Sequence, residues 1–254
     1  MAISELTTVN RTSVVDSAYE VLQAQILNGT LAPGEKLPTE SELTKALGVS
    51  RSTLREALNR LASARLIRIQ HGGSKTVLDY RQHGGLELLT ALIASHDGTI
   101  NVDLVRSALE MRDCIAPDAA SLAAKRRTNE QAKQLISIAN RLCDNQVPLA
   151  DLVGPTMDFW RLVVAASHNV AYQLAYNSLM VTEMGDINVM RQTIEAELRA
   201  GELYLDLAKA IHRRHYKKSI ELSTQLVKRG SDGINAAIEL YLKMQSLNQS
   251  GEPS

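Results

Sequence analysis

The chain has 254 residues, of which 44% are hydrophobic, 22% are charged and 4% are aromatic. This length suffices for two ordinary domains, and the composition is that of a globular protein, which excludes the disordered and fibrous classes. Because aromatic residues are scarce, the cores must consist of Leu, Ile, Val and Ala, which favours helices over a large sheet. The formal net charge is zero, so evidence for a nucleic-acid partner must come from local charge.

The sequence indicates a cytoplasmic protein. Its first twelve residues, MAISELTTVNRT, lack the basic stretch and the apolar core of a signal peptide. No apolar run approaches the length of a membrane span, so we expect no membrane partner.

Three helices are predicted at the N-terminal end of the chain. Apolar residues recur at helical spacing over 15–26, which predicts the first helix. The second begins at a capping box formed by Thr39 and Glu42 and ends at Gly48. Ser50 is the N-cap candidate of the third helix, whose inner face carries Leu54, Ala57, Leu58 and Leu61. Two short helices hinged at a glycine have the layout of a helix-turn-helix.

The outward face of the third helix is suited to contact DNA. Its first turns carry Arg51, Ser52, Thr53 and Arg55. Arginine matches guanine O6 and N7, and the hydroxyl groups match phosphates or base edges. Between Ser50 and Gln70 there are five arginines against one glutamate, a local positive charge inside a neutral protein. The alternative is a solvated basic helix face.

A β-hairpin is predicted next, because residues 66–70 and 75–78 flank a glycine-rich turn. A hairpin directly after a helix-turn-helix is a wing. Its tip at His71 and Gly72 is small enough to enter a minor groove, with His71 or Lys75 as the polar probe.

The run PGEKLPTESELTKALGVSRSTLREALNRLASARLIRIQHGG resembles the DNA-binding domain of the GntR family over about residues 14–78, and its IQHG tip is similar to the FadR branch. The resemblance implies DNA contacts by Arg51, Ser52, Thr53 and Arg55, with His71 and Gly72 at the wing. One position departs from the pattern. Ser41 stands where members usually carry an arginine that touches the operator, which predicts a shifted operator preference or weaker binding.

The predicted domains are a winged helix-turn-helix at 10–78, a linker at 79–85, an all-helical effector-binding and dimerisation domain at 86–246, and a disordered tail at 247–254. Helices are expected at about 86–95, 101–126, 129–144, 149–167, 170–198 with an interruption near Gly185, 203–213, 216–229 and 233–246. The fold class is therefore mainly α, with an antiparallel helical bundle as the second domain. The stretches EMRDCIAPDAASLAAKRRT and FWRLVVAASHN resemble the FadR-type C-terminal domain, in which such a bundle encloses the effector.

Arg112 lies on a predicted helix that is otherwise rich in apolar residues. An arginine that points into a bundle needs an anionic partner, because an unpaired buried charge is very costly. It is either a surface arginine paired with a neighbouring acid or, as the resemblance implies, the anchor for the carboxylate or phosphate of a ligand. Arg161 is a second candidate of the same kind.

No intact metal site and no cofactor are expected. Many relatives hold a metal through an aspartate and three histidines, and the resemblance places Thr156 and Trp160 where the aspartate and the first histidine belong. Neither residue suits a metal. His168, His212 and His215 remain. His212 and His215 could share a helix face, but without a carboxylate partner we expect them at the surface, in the basic stretch 212–215.

Loss of the metal ligands, together with the IQHG tip, resembles the acyl-CoA-responsive FadR proteins. In those proteins a Tyr-Gly-x-Glu-Ser stretch on a late helix helps to hold the ligand. The nearest match here, RGSDG at 229–233, keeps the glycine and one acid, so Gly230 and Asp232 become candidate ligand contacts. Trp160 would lie in the pocket wall or in the core.

These observations predict a homodimeric, DNA-binding transcription regulator that binds a palindromic operator. The expected effector is a small acidic metabolite, a fatty acyl-CoA or a fatty acid. The alternatives are a regulator that responds to a small organic acid and a ligand-independent DNA-binding dimer. No P-loop, GxGxxG, nucleophile elbow or HExxH motif occurs, so we expect no enzyme activity.

Overall fold

The computed structural model describes residues 14–70, 74–93, 100–144, 146–180 and 192–250. The chain divides into two compact units, residues 1–97 and 98–254. Within the described ranges, no helix combines the length and the apolarity needed to cross a bilayer.

The N-terminal unit is a winged helix-turn-helix. Its elements are α1 (Val14–Leu27), α2 (Glu40–Leu47), α3 (Arg51–Ser63), β1 (Ile67–Ile69), β2 (Lys75–Val77), α4 (Tyr80–His83), a 3₁₀ turn (Leu86–Leu88) and α5 (Leu89–Ile93). The capping box of Thr39 and Glu42 is formed. Gly48 ends α2 with a φ of 65°, a left-handed conformation that favours glycine. The predicted three helices and hairpin are confirmed.

The core of this unit lies under α3. Leu54, Leu58 and Leu61 of α3 are buried against Leu22 and Ile26 of α1. The two strands are antiparallel, and Ile67 pairs with Val77 at the buried end of the hairpin. The hairpin therefore continues the same core, which fixes the wing beside the helix-turn-helix.

The boundary between the units differs from the expected linker at 79–85. Part of that segment forms α4, and Asp79 caps it by accepting a hydrogen bond from the Arg81 amide. Leu88 is buried within the N-terminal core, and Leu92 packs against it. The turn and helix over 86–93 therefore belong to the N-terminal unit, because their apolar side chains are buried there.

The C-terminal unit is a bundle of helices. They are α6 (Val102–Arg126), α7 (Asn129–Leu142), α8 (Leu149–Ala166), α9 (Val170–Met180), α10 (Glu195–Leu198), α11 (Gly201–His212) and α12 (Tyr216–Ser250). Helix α6 packs against α12 and α8, and α11 packs against α7 and α12. The inner side of α6 is lined with small residues, Ala116, Ala119, Ala120, Ala123 and Ala124. The predicted mainly helical fold class is confirmed.

Two boundaries in this unit were predicted wrongly. The helices expected at 216–229 and 233–246 form one 35-residue helix, α12, which runs through Gly230 and Gly233. Residues 247–250, expected in a disordered tail, are the last turn of α12, which continues to Ser250. The interruption expected near Gly185 lies outside the described residues.

Candidate functional site

Four of the residues predicted to contact DNA, Arg51, Ser52, Thr53 and Arg55, lie together at the start of α3. The Ser50 hydroxyl caps this helix by accepting a hydrogen bond from the Thr53 amide at 3.2 Å. Arg51, Ser52 and Arg55 are exposed, and Thr53 is half-buried. Arg51 and Arg55 are four residues apart and therefore lie on one face of the helix. This face offers two guanidinium groups and nearby hydroxyl groups to a polyanion.

Glu40, the first residue of α2, links α3 to the hairpin. Its carboxylate accepts a hydrogen bond from Arg55 Nε at 3.0 Å and another from Lys75 Nζ at 2.9 Å. The hydrogen bonds from Lys75 and from Arg55 lower the pKa of Glu40. Glu40 was not among the predicted site residues. The sequence does show that it directly follows Thr39, the N-cap of α2, and therefore lies in the first turn of that helix.

Three hairpin residues, His71, Gly72 and Lys75, were predicted to contact DNA. Lys75 lies on β2 with a side chain only 10% exposed, and it donates to Glu40. A DNA contact by Lys75 therefore stays a prediction, and the structure gives this lysine a partner inside the unit. His71 and Gly72, expected at the wing tip, lie outside the described residues.

The five arginines between residues 50 and 70 differ in their surroundings, because several of them form ion pairs with acidic side chains. Arg60 forms ion pairs with Asp16 of α1 and with Glu56. Arg65 lies 3.8 Å from Glu87. Acids from outside the segment, Asp16, Glu40 and Glu87, thus offset part of its charge.

A second polar site lies inside the C-terminal bundle, around Arg112 of α6. The Arg112 side chain is 24% exposed, and Arg112 Nη2 donates to the Glu197 carboxylate of α10, whose side chain is 3% exposed. Burial opposes the charge of Arg112, but the adjacent Glu197 carboxylate outweighs it and raises the pKa of Arg112. The anionic partner that Arg112 required is therefore a glutamate of the same chain.

Two aromatic residues complete the environment of Glu197. Trp160 Nε1 of α8 donates to Glu197 Oε1 at 3.3 Å, and the Tyr204 hydroxyl of α11 donates to the same oxygen at 3.2 Å. The rings of Trp160, Tyr204 and Phe159 pack edge to face. Burial, reinforced by the Glu197 charge, raises the pKa of Tyr204 well above its usual range, so the phenol remains a donor.

Glu197 Oε2, the other carboxylate oxygen, is buried and accepts no hydrogen bond within the described ranges. A buried acceptor without a donor costs about 1–3 kcal/mol. This oxygen lies against Gly230 of α12, where a Cβ atom would overlap it. Close approach of a side chain explains why a glycine is needed in the middle of this helix.

The comparisons with known proteins agree with both halves of the fold. Residues 14–77 match "Bacterial regulatory proteins, gntR family", and residues 107–229 match "FCD domain". The chain is 36% identical over 203 residues to the HTH-type transcriptional regulator Mce2R of Mycobacterium tuberculosis, which covers 80% of this chain and 84% of that protein. The chain belongs to the GntR family. It is therefore a DNA-binding transcription regulator and not an enzyme, as the sequence predicted.

A second relative of this GntR-family chain is the fatty acid metabolism regulator protein of Escherichia coli O1:K1 / APEC. It is 32% identical over 162 residues, which cover 64% of this chain and 66% of that protein. Among solved structures, E. coli McbR/YncC is 19% identical, has a TM-score of 0.45 and covers 92% of this chain and 100% of that chain.

Not all predicted ligand residues of this GntR-family chain meet at one place. Arg112, Trp160 and Gly230 converge on Glu197, which the sequence analysis missed together with Tyr204. Arg161 is 59% exposed and pairs with Asp158 on its own helix. Asp232 is exposed on α12. A ligand contact by Arg161 or Asp232 stays a prediction.

Thr156 and Trp160, which the resemblance aligned with metal ligands, both lie in the interior of the C-terminal unit. Thr156 is buried, and Trp160 donates to Glu197. His212 and His215 are exposed, as expected, and His168 is exposed as well. Among the residues that the structure describes, no three His, Cys, Asp or Glu side chains are grouped as a metal site would require.

Proposed function

We propose that the DNA affinity of this regulator is controlled by a fatty acyl-CoA or a free fatty acid bound in the C-terminal unit. In this proposal Arg112 is the anchor for the acid group of the ligand. The observation that carries it is the largely buried guanidinium at the centre of the bundle, where an oxyanion can be bound away from bulk water.

One of the two relatives supports an effector linked to lipid metabolism. The E. coli relative carries the name fatty acid metabolism regulator protein. The buried side chains around Trp160 are mainly Ala, Leu and Val, so an acyl chain that entered the bundle beside Arg112 would be in contact with apolar surface.

In the proposed mechanism two protomers form a cytoplasmic homodimer on a palindromic operator. Each recognition helix enters a major groove, with Arg51, Ser52, Thr53 and Arg55 as its contacts and the wing residues His71 and Gly72 at the minor groove. Ligand binding favours a dimer arrangement that separates the two recognition helices. A ligand that binds this arrangement about 100-fold more tightly supplies roughly 2.7 kcal/mol, within the usual range of coupling energies.

The test combines operator selection with a titration of acids. An operator is selected from a random DNA pool, and its binding to the full chain is followed by fluorescence anisotropy with palmitoyl-CoA, palmitate or succinate added. We expect palmitoyl-CoA or palmitate to release the DNA. Release by succinate alone would indicate a small organic acid, and no response to any acid would indicate a ligand-independent dimer.

Variants of two arginines on α6 test the anchor. Arg112→Gln should bind the operator but lose the response to the fatty ligand. Arg106→Gln is the matched control, because Arg106 lies on the same helix, is 39% exposed and pairs with Glu239 at the surface. An unchanged response in Arg112→Gln would contradict the anchor role.

A further inference from the structure

We propose that Glu197 is an internal substitute for the ligand: its carboxylate occupies the position of the ligand's acid group, and an oxyanion binds at Arg112 by displacing it. This inference rests on the proposed function, because it concerns the same Arg112 anchor. It adds Glu197 to the site. Competition between the Glu197 carboxylate and the incoming oxyanion for Arg112 then determines how tightly the site binds an anion.

The geometry around Glu197 is that of an anion-binding site. A guanidinium from α6, an indole N–H from α8 and a phenol O–H from α11 all donate to the single oxygen Glu197 Oε1. Three donors from three helices converge on one point, which is the arrangement expected for recognition of an oxyanion. A carboxylate or phosphate oxygen of a ligand at this point could accept the same three hydrogen bonds.

Glu197 fills this position imperfectly. Its second oxygen, Oε2, is buried without a donor in the described part of the chain and lies against Gly230. An incoming oxyanion that satisfies more of its oxygens would be bound in preference. Glu197 belongs to the four-residue helix α10, so its displacement would move a short element that packs on α8 and α12.

The competition has a direct consequence for affinity. As long as Glu197 neutralises Arg112, a ligand must replace an existing ion pair. Its binding free energy then contains only the difference between the Arg112–ligand and the Arg112–Glu197 interactions. Removal of the Glu197 charge leaves Arg112 without its anionic partner, and the site should then bind simple oxyanions more tightly. A purely structural ion pair predicts the opposite, a less stable bundle with no gain in anion binding.

The experiment measures binding of octanoate and of inorganic phosphate to the full chain by isothermal titration calorimetry. Glu197→Gln keeps the shape of the side chain and removes its charge. We expect it to bind octanoate or phosphate at least 10-fold more tightly than the natural chain, about 1.4 kcal/mol. A gain for octanoate alone identifies a carboxylate ligand, and a gain for phosphate alone identifies the phosphate of a nucleotide-containing ligand.

The control is Glu195→Gln, the same substitution two residues earlier, at a carboxylate that is 54% exposed and pairs with Arg199. Its anion affinity should equal that of the natural chain. A second variant keeps the Glu197 charge. In Gly230→Ala the added Cβ atom would lie 1.9 Å from Glu197 Oε2 and 3.0 Å from Arg112 Nη1. The carboxylate has the closer contact and must shift more than the guanidinium, so this variant should show a gain of the same sign but smaller size.

The inference is overturned if neither Glu197→Gln nor Gly230→Ala binds either anion more tightly, or if Glu195→Gln gains as much. Adding Arg112→Gln to Glu197→Gln should abolish the gain, and a gain that persists also overturns it. Operator release by palmitoyl-CoA separates the two proposals. If palmitoyl-CoA releases the operator but the variants bind anions no more tightly, the proposed function is supported and the role of Glu197 is not. If the variants bind anions more tightly but palmitoyl-CoA does not release the operator, only the anion site is supported.

Discussion

Replacement of Arg55 by alanine is the most direct test of the recognition helix. The Arg55 side chain is 69% exposed, and its ion pair with Glu40 is accessible to solvent. Exposed ion pairs contribute about 0–1 kcal/mol to stability, so the Arg55→Ala chain should fold normally. Its DNA affinity should fall much further, because the substitution removes a guanidinium from the face expected to meet the operator.

The size of the loss follows from the number of contacts. A bidentate contact between arginine and guanine contributes about 1–3 kcal/mol of base discrimination. A dimer on a palindrome loses this contact at both half-sites, so we expect a total loss of at least about 2 kcal/mol, which is roughly 30-fold in Kd. If Arg55 binds phosphate instead, the loss is independent of sequence and the salt dependence of binding becomes weaker.

The assay is fluorescence anisotropy with the selected operator and with a scrambled duplex at several salt concentrations. Arg60→Ala is the matched control, because it removes the same charge from the same helix at a residue that pairs with Asp16 and Glu56. We expect Arg60→Ala to retain operator affinity within a few-fold. Full operator affinity in Arg55→Ala, or an equal loss in Arg60→Ala, would refute the assignment of Arg55 as a specific contact.

Three further predictions concern stability, measured as urea unfolding. Leu58→Ala should destabilise the N-terminal unit by about 2–5 kcal/mol, since Leu58 is 1% exposed; an unchanged unfolding free energy would contradict its place in the core. Gly48→Ala should cost about 1–2 kcal/mol through backbone strain alone, because a Cβ there meets no atom within 4 Å; Gly48→Asn should cost less, and equal costs would argue against strain. Burial raises the pKa of Tyr176 from 10.0 to about 12, so its neutral phenol stabilises the fold fully below pH 10 and this contribution is lost as the pH rises through 12. Tyr176→Phe should therefore lose less stability between pH 10 and pH 12 than the natural chain, and parallel losses would contradict the burial of this phenol.

The helix-turn-helix could be predicted almost residue by residue, because its signals are local. The capping box joins Thr39 to Glu42, three residues away, and Ser50 caps α3 through the amide of Thr53. The glycine at 48 adopts the left-handed conformation that ends α2. Each of these features depends on a few neighbouring residues, so the sequence displays them directly.

The ligand site could be predicted only in part, because its contacts are distant in sequence. Arg112 was recognisable as a charge on an apolar helix, but its partner Glu197 lies 85 residues away. Glu197 stands in an ordinary polar stretch, QTIEAELRAGE, that gives no indication of burial. Tyr204 likewise depends on the packing of α11 against the bundle.

Helix α12 shows how packing overrides a local signal. Glycine is about 1 kcal/mol less favourable than alanine inside a helix, and Gly230 lies in the gap that was expected between the helices at 216–229 and 233–246. The structure keeps the helix continuous, because each glycine admits a neighbour, Glu197 at the first and the Thr193 carbonyl at the second. The cost of the glycines is offset by contacts that no short segment of sequence reveals.

The hydrogen bond from Trp160 to Glu197 makes the intrinsic tryptophan fluorescence of the protein a probe of the Arg112 site. The sequence contains a single tryptophan, and its indole is 7% exposed and donates to the carboxylate beside Arg112. Emission excited at a wavelength that tyrosine does not absorb therefore reports on this one position in the bundle. An event that moves Glu197 changes the hydrogen bonding of the indole, so it can be followed in time on the unlabelled chain, while operator DNA is present and without a reporter group.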